Sequence, residues 1–74
     1  MEEKVISIIS LVTNISKEEL LKKSACEGVW NSLHHVEIII SLEEEFAISF
    51  TPDEIAEART VDVMMETVKR KVNG

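Results

Sequence analysis

Val5, Ile8, Ile9 and Val12 recur at i, i+3, i+4 and i+7, which predicts a first helix over about residues 2–14. Ser16-Lys17-Glu18-Glu19 has capping-box spacing, so a short helical turn is expected to follow through Leu20 and Leu21. Periodicity then stops, and Ser24, Ala25, Cys26, Glu27 and Gly28 read as a loop reaching residue 31. Asn31 is a strong N-cap residue, and a second helix is expected from there to about Phe46. Thr51-Pro52-Asp53-Glu54 signals another start, with proline at the first helical position and an acid at the third. That helix is short, because Arg59-Thr60 introduces a last one marked by Val61, Met64, Met65, Val68 and Val72. Basic residues and Asn73-Gly74 close it. The strand-like stretch Ala47-Ile48-Ser49-Phe50 is too short and partnerless for a sheet. The pattern is all-α: a small antiparallel four-helix bundle, three main helices and one short one, with a long first loop. Its expected core is Val5, Ile8, Ile9, Val12, Val36, Ile39, Leu42, Phe46, Val61, Met65 and Val68.

The second helix carries more apolar residues than one buried face requires. At 100° per residue, Val36, Ile39, Leu42 and Phe46 group as its expected core face. Leu33, Glu37, Ile40 and Glu44 fall on a neighbouring stripe at i, i+4, i+7 and i+11. Alternating apolar and acidic residues make a poor core and a good docking surface. The competing reading is that Leu33 and Ile40 merely widen the buried face. Glu43, Glu44 and Glu45 span too wide an arc all to face one partner, so some are solubilising.

Length and charge narrow the classes. Seventy-four residues make one domain, residues 1–74, too short for a doubly wound nucleotide fold or a TIM barrel. The net charge of -6 is uneven: residues 32–60 hold seven acids against Arg59, whereas residues 1–31 are net -1 and residues 61–74 net +1. An acidic chain repels phosphate backbones, so no nucleic acid is expected to bind, and a basic protein partner fits the middle third. A solvated face kept acidic for solubility is the plainer alternative. The one cysteine, Cys26, forms no internal disulfide, which fits a reducing compartment. Met1-Glu2-Glu3 begins no basic, apolar leader, so a cytoplasmic protein is expected. No apolar run exceeds three residues, as in Ile38-Ile39-Ile40, far short of a membrane span.

Candidate chemistry is sparse. Ser32 and His35 are three apart, but a hydrolase also needs an orienting group, an oxyanion hole and a pocket. His34 and His35 point about 100° apart and cannot chelate one metal together; they read as surface or rim residues. The acidic run lacks the pattern of a calcium loop, so no metal is expected. Trp30 is expected to pack the loop against the bundle. Ser32 is the first helical residue after the Asn31 cap, so its hydroxyl lies at the positive end of the helix dipole. A phosphoester is favoured there by about 0.3–1 kcal/mol.

The stretch Gly28-Val29-Trp30-Asn31-Ser32-Leu33-His34-His35-Val36-Glu37-Ile38, followed by Leu42-Glu43-Glu44-Glu45-Phe46 and Thr51-Pro52-Asp53-Glu54-Ile55, resembles the acyl carrier proteins. The similarity is strong over residues 28–55, extends by spacing to residue 68 and is weak over the first helix. It is greatest to free-standing bacterial members. The resemblance implies a four-helix carrier rather than an enzyme, and the bundle is expected to be a monomer. It implies 4'-phosphopantetheine attached covalently to Ser32 by a phosphopantetheinyl transferase. It also implies that acyl-activating, ketosynthase or acyltransferase enzymes with basic patches meet Asn31, Leu33, His34, Glu37, Ile40 and Glu44. Fatty-acid, polyketide or other acyl-transfer pathways are the expected setting. An unmodified acidic module that binds a basic partner through the same helix is the alternative.

Two departures from that family stand out. Asn31 occupies a position where most members have Asp; it keeps the cap but removes a charge beside the serine. In this respect the chain also resembles peptidyl carriers. His34-His35 makes the partner surface less acidic and pH-sensitive near neutrality, which is expected to alter partner choice.

Overall fold

In the computed structural model, which describes residues 2–73, several helix ends are closed by side chains or by left-handed backbone. Among those residues there are five helices: α1 (Glu2–Thr13), α2 (Lys17–Lys22), α3 (Ser32–Phe46), α4 (Pro52–Glu57) and α5 (Val61–Asn73). α1 stops as Asn14 turns left-handed at φ 63°, with the Ser10 hydroxyl donating to the Ile15 carbonyl at 2.6 Å. α2 forms inside the long first connection. Ser16 accepts from the Glu19 N–H at 3.2 Å, but the Glu19 carboxylate pairs with Lys23 at 3.0 Å, so only half of the expected capping box forms. Its Leu20 is wholly buried. The loop after α2 is pinned where the Asp62 N–H donates to the Ser24 carbonyl at 2.9 Å.

The bundle axis follows from two ion pairs. Lys4 reaches Glu45 at 2.9 Å and Lys69 approaches Glu2 at 4.0 Å. The start of α1 therefore lies beside the ends of both α3 and α5, and α1 runs antiparallel to each. α1 packs on α2, α3 and α5, and α3 packs on α5. The wholly buried side chains are led by Val5, Ile9, Leu20, Ile38, Leu42, Val61, Met64 and Val68. Ile8, Val12, Phe46 and Met65 pack against this core while only partly buried.

One core expectation is corrected. Val36 is 52% exposed, and Ile38 is fully buried. On the α3 wheel the buried residues Ile38, Leu42 and Ile39 centre about 100° from Val36, which falls on the flank of that arc. Met64 is likewise fully buried on α5, with Met65 at the edge of the core. Phe50, read only as part of an abortive strand, is buried too. The Glu43 carboxylate accepts from the Phe50 N–H at 2.8 Å and so folds residues 47–50 back onto the bundle.

α4 contains no fully buried residue and owes its place to its ends. Thr51 and Glu54 close a complete capping box, Glu54 Oε1 accepting from the Thr51 N–H at 2.8 Å and Thr51 Oγ1 from the Glu54 N–H at 3.2 Å. Glu54 also meets Lys71 of α5 at 2.7 Å, and the Lys71 ammonium lies 5.9 Å from the Phe50 ring centroid. The hydrogen bond from Lys71, then that from the Thr51 backbone, holds the Glu54 carboxyl at about 2, against its ordinary 4.5. A carboxylate favoured in the folded state contributes its stability above pH 4.5 and loses it as pH falls toward 2. The urea midpoints of wild type and Glu54→Gln should therefore differ most above pH 4.5 and converge toward pH 2. A pH-independent difference would exclude the charge of Glu54 as the cause.

Candidate functional site

Asn31 sets the geometry at the head of α3. Its backbone is extended, its side-chain oxygen accepts from the His34 N–H at 2.7 Å, and its carbonyl accepts from the His35 N–H at 2.9 Å. Ser32 follows as the first helical residue and is exposed. Its hydroxyl makes no hydrogen bond to another described side chain or backbone group. Beside it opens a cleft of about 650 Å³ between the loop, α3 and α4, with Gly28, Trp30, His35, Pro52 and Arg59 among its walls. Gly28 sits at φ 75°, a left-handed turn that favours glycine although space beside it is open.

His35 is removed from the role of a base for Ser32. The Trp30 indole N–H donates to its Nδ1 at 3.0 Å, and its Nε2 lies 2.7 Å from the Ile55 carbonyl. Both ring nitrogens are engaged. His35 is a rim residue of the cleft: its ring lies nearly parallel to Trp30, 16° between planes, and stitches the loop to α4. Trp30 packs against the core, as its position before the helix implied.

The stripe along α3 is open. Leu33 is 70% and Ile40 49% exposed, and Glu37 and Glu44, which alternate with them, are exposed as well. The stripe lies about 180° from the buried face, so Leu33 and Ile40 do not widen the core. Val36 joins it on one flank. Of the three consecutive acids, Glu43 binds the Phe50 backbone and Glu45 binds Lys4. Glu44 makes no ion pair among the described residues.

No family model matches the chain. It is 30% identical over 73 residues to the acyl carrier protein of Buchnera aphidicola subsp. Schizaphis graminum (strain Sg), a match covering 96% of this chain and 92% of that protein. This chain belongs to the acyl carrier protein family.

The residues singled out by sequence fall into two groups. Asn31, Ser32, Leu33 and His34 gather at the head of α3, and Glu37, Ile40 and Glu44 continue along its open face. A phosphoester on Ser32 fits what surrounds it. The hydroxyl is accessible, and a fifteen-residue helix directs its positive end there; the cleft wall also carries Arg59, which lies 4.0 Å from Glu27. Among the described residues no cluster of three or more His, Cys, Asp or Glu side chains is placed to hold a metal ion. Among the described residues no helix is long and apolar enough to cross a membrane. The Trp30–His35–Ile55 link escaped the sequence reading. Its one available signal was the wheel position of His35, about 20° from Leu42 and therefore on the core side.

Proposed function

We propose that this chain carries acyl groups as thioesters on 4'-phosphopantetheine joined to Ser32. The observation that supports this most is the exposed, uncommitted Ser32 hydroxyl at the head of α3, directly before the acid-studded open face. In the modification, Ser32 Oγ loses its proton and bonds to the pantetheine-bearing phosphorus of coenzyme A. The anhydride bond breaks, and adenosine 3',5'-bisphosphate leaves. The attached group supplies a thiol on a flexible arm, where acyl cargo is held. Residues 1–74 act as one monomeric carrier domain, not as an enzyme: partner enzymes bring the acids and bases. Those partners are a phosphopantetheinyl transferase and acyl-activating, ketosynthase or acyltransferase enzymes of fatty-acid, polyketide or specialised acyl-transfer pathways in the cytoplasm. Co-expression with a transferase tests the reading. A gain of one arm's mass supports it; an unchanged mass in the folded protein supports the unmodified interaction module instead.

Asn31, Leu33, His34, Glu37, Ile40 and Glu44 form the docking surface in this proposal. Exposed acids steer a basic patch toward Ser32, and the apolar residues hold it after contact. Glu37→Lys or Glu44→Lys should lower the association rate with a transferase at low salt by roughly threefold or more, an effect lost as the Debye length shrinks from ~10 Å at 0.1 M to ~3 Å at 1 M. Ile40→Ala should act mainly on dissociation, raising it about threefold to tenfold. Lys69→Ala is the control, since Lys69 lies on α5 near Glu2; Lys71 does not serve, because it holds Glu54. Stopped-flow kinetics separate the two effects. Charge reversals that leave association unchanged at low salt would reduce the stripe to a solvated face.

A further inference from the structure

We infer that His35 is a proton-sensitive fastening for the loop that leads into Ser32. An indole N–H only donates, so the His35 Nδ1 that receives it at 3.0 Å is unprotonated. The ring proton is therefore on Nε2 and is donated to the Ile55 carbonyl at 2.7 Å. That carbonyl belongs to the last turn of α4, where backbone acceptors outnumber helical donors. The Glu54 carbonyl takes the Ala58 N–H at 3.0 Å and the Glu57 carbonyl takes the Arg59 N–H at 2.8 Å. The Ala56 carbonyl takes Arg59 Nε–H at 3.0 Å. His35 completes the set, so it caps α4 with one nitrogen and holds the loop with the other.

The two ends respond differently to a proton. The added proton goes to Nδ1, where the Trp30 N–H already points, and two donors then face one another. The Ile55 end keeps its donor. Protonation therefore releases Trp30 and residues 28–31, which run straight into Ser32, and leaves α4 capped. The other charged groups on the cleft wall are Glu27 of the loop and Arg59 of the α4–α5 link, paired at 4.0 Å. His34, the neighbour on α3, faces the other way around the helix by about 100°. The fastening does not depend on Ser32 being modified, and its test needs only the unmodified chain.

The experiment is an NMR titration of the ¹⁵N-labelled protein, kept above pH 4.5 so that Glu54 stays ionised. Trp30 is the one tryptophan, so its indole signal is unambiguous. At neutral pH the His35 ring should show a bare Nδ1 and a protonated Nε2. As the ring gains its second proton, the indole signal and the amides of residues 28–31 should shift with the same midpoint, and those amides should become more mobile. The Ala58 amide should not. Trp30→Phe keeps an aromatic ring without the N–H, and its loop should lose that titration. His35→Gln, whose neutral amide can accept from the indole and donate to Ile55, should hold the loop at every pH in the range. An indole signal that stays fixed while His35 protonates, or a Trp30→Phe loop that titrates like wild type, would overturn the inference.

Discussion

Ile38→Ala should cost about 2–5 kcal/mol of folding free energy, whereas Val36→Ala, two residues earlier on the same helix, should stay within about 0.5 kcal/mol. Ile38 is completely buried and Val36 is 52% exposed. Truncating Ile38 removes a side chain whose surroundings are close-packed, so the loss includes both its transfer from water and the cavity left behind. A chain of this length holds roughly 4–11 kcal/mol in total, so Ile38→Ala takes a large share of it. Urea unfolding followed by circular dichroism separates the two variants through their midpoints, provided the slopes agree. Equal losses would contradict the orientation of α3, and with it the open face on which the docking surface depends.

The orientation of α3 also marks where the sequence was legible and where it was not. Helix ends were readable because they rest on local chemistry: Asn31 before α3, and Thr51-Pro52 with Glu54 at α4, close their helices as their residue types require. The Leu33/Glu37/Ile40/Glu44 stripe was readable because its two acids favour solvent, although Leu33 and Ile40 taken alone also fitted a wider buried face. The core boundary was not. Val36 and Ile38 are equally apolar, and a choice between them needs to know where α1 and α5 sit. The roles of single acids were hidden for the same reason. Glu43, Glu45 and Glu54 look alike in sequence, yet one binds the Phe50 backbone, one a lysine of α1 and one a lysine of α5. Three of the seven acids in residues 32–60 are thus engaged by other parts of the chain, and Glu37 and Glu44 are the acids on the open face of α3. The pairing of His35 with Trp30 and Ile55 needed the path of the loop over α3, which no periodicity records.

Ser32 is where the account is most exposed to test. The exposed hydroxyl bonds to nothing described around it, and the cap of α3 belongs to Asn31. Ser32→Ala should therefore fold with a stability within about 0.5 kcal/mol of wild type. The most direct measurement is the intact mass of both proteins after incubation with coenzyme A, magnesium and a broad-specificity phosphopantetheinyl transferase. Wild type should gain one phosphopantetheine, and the folded Ser32→Ala variant should gain none. A variant that still gains the arm would place the attachment on another serine, and a wild type that gains none from several transferases would contradict the carrier function proposed for it.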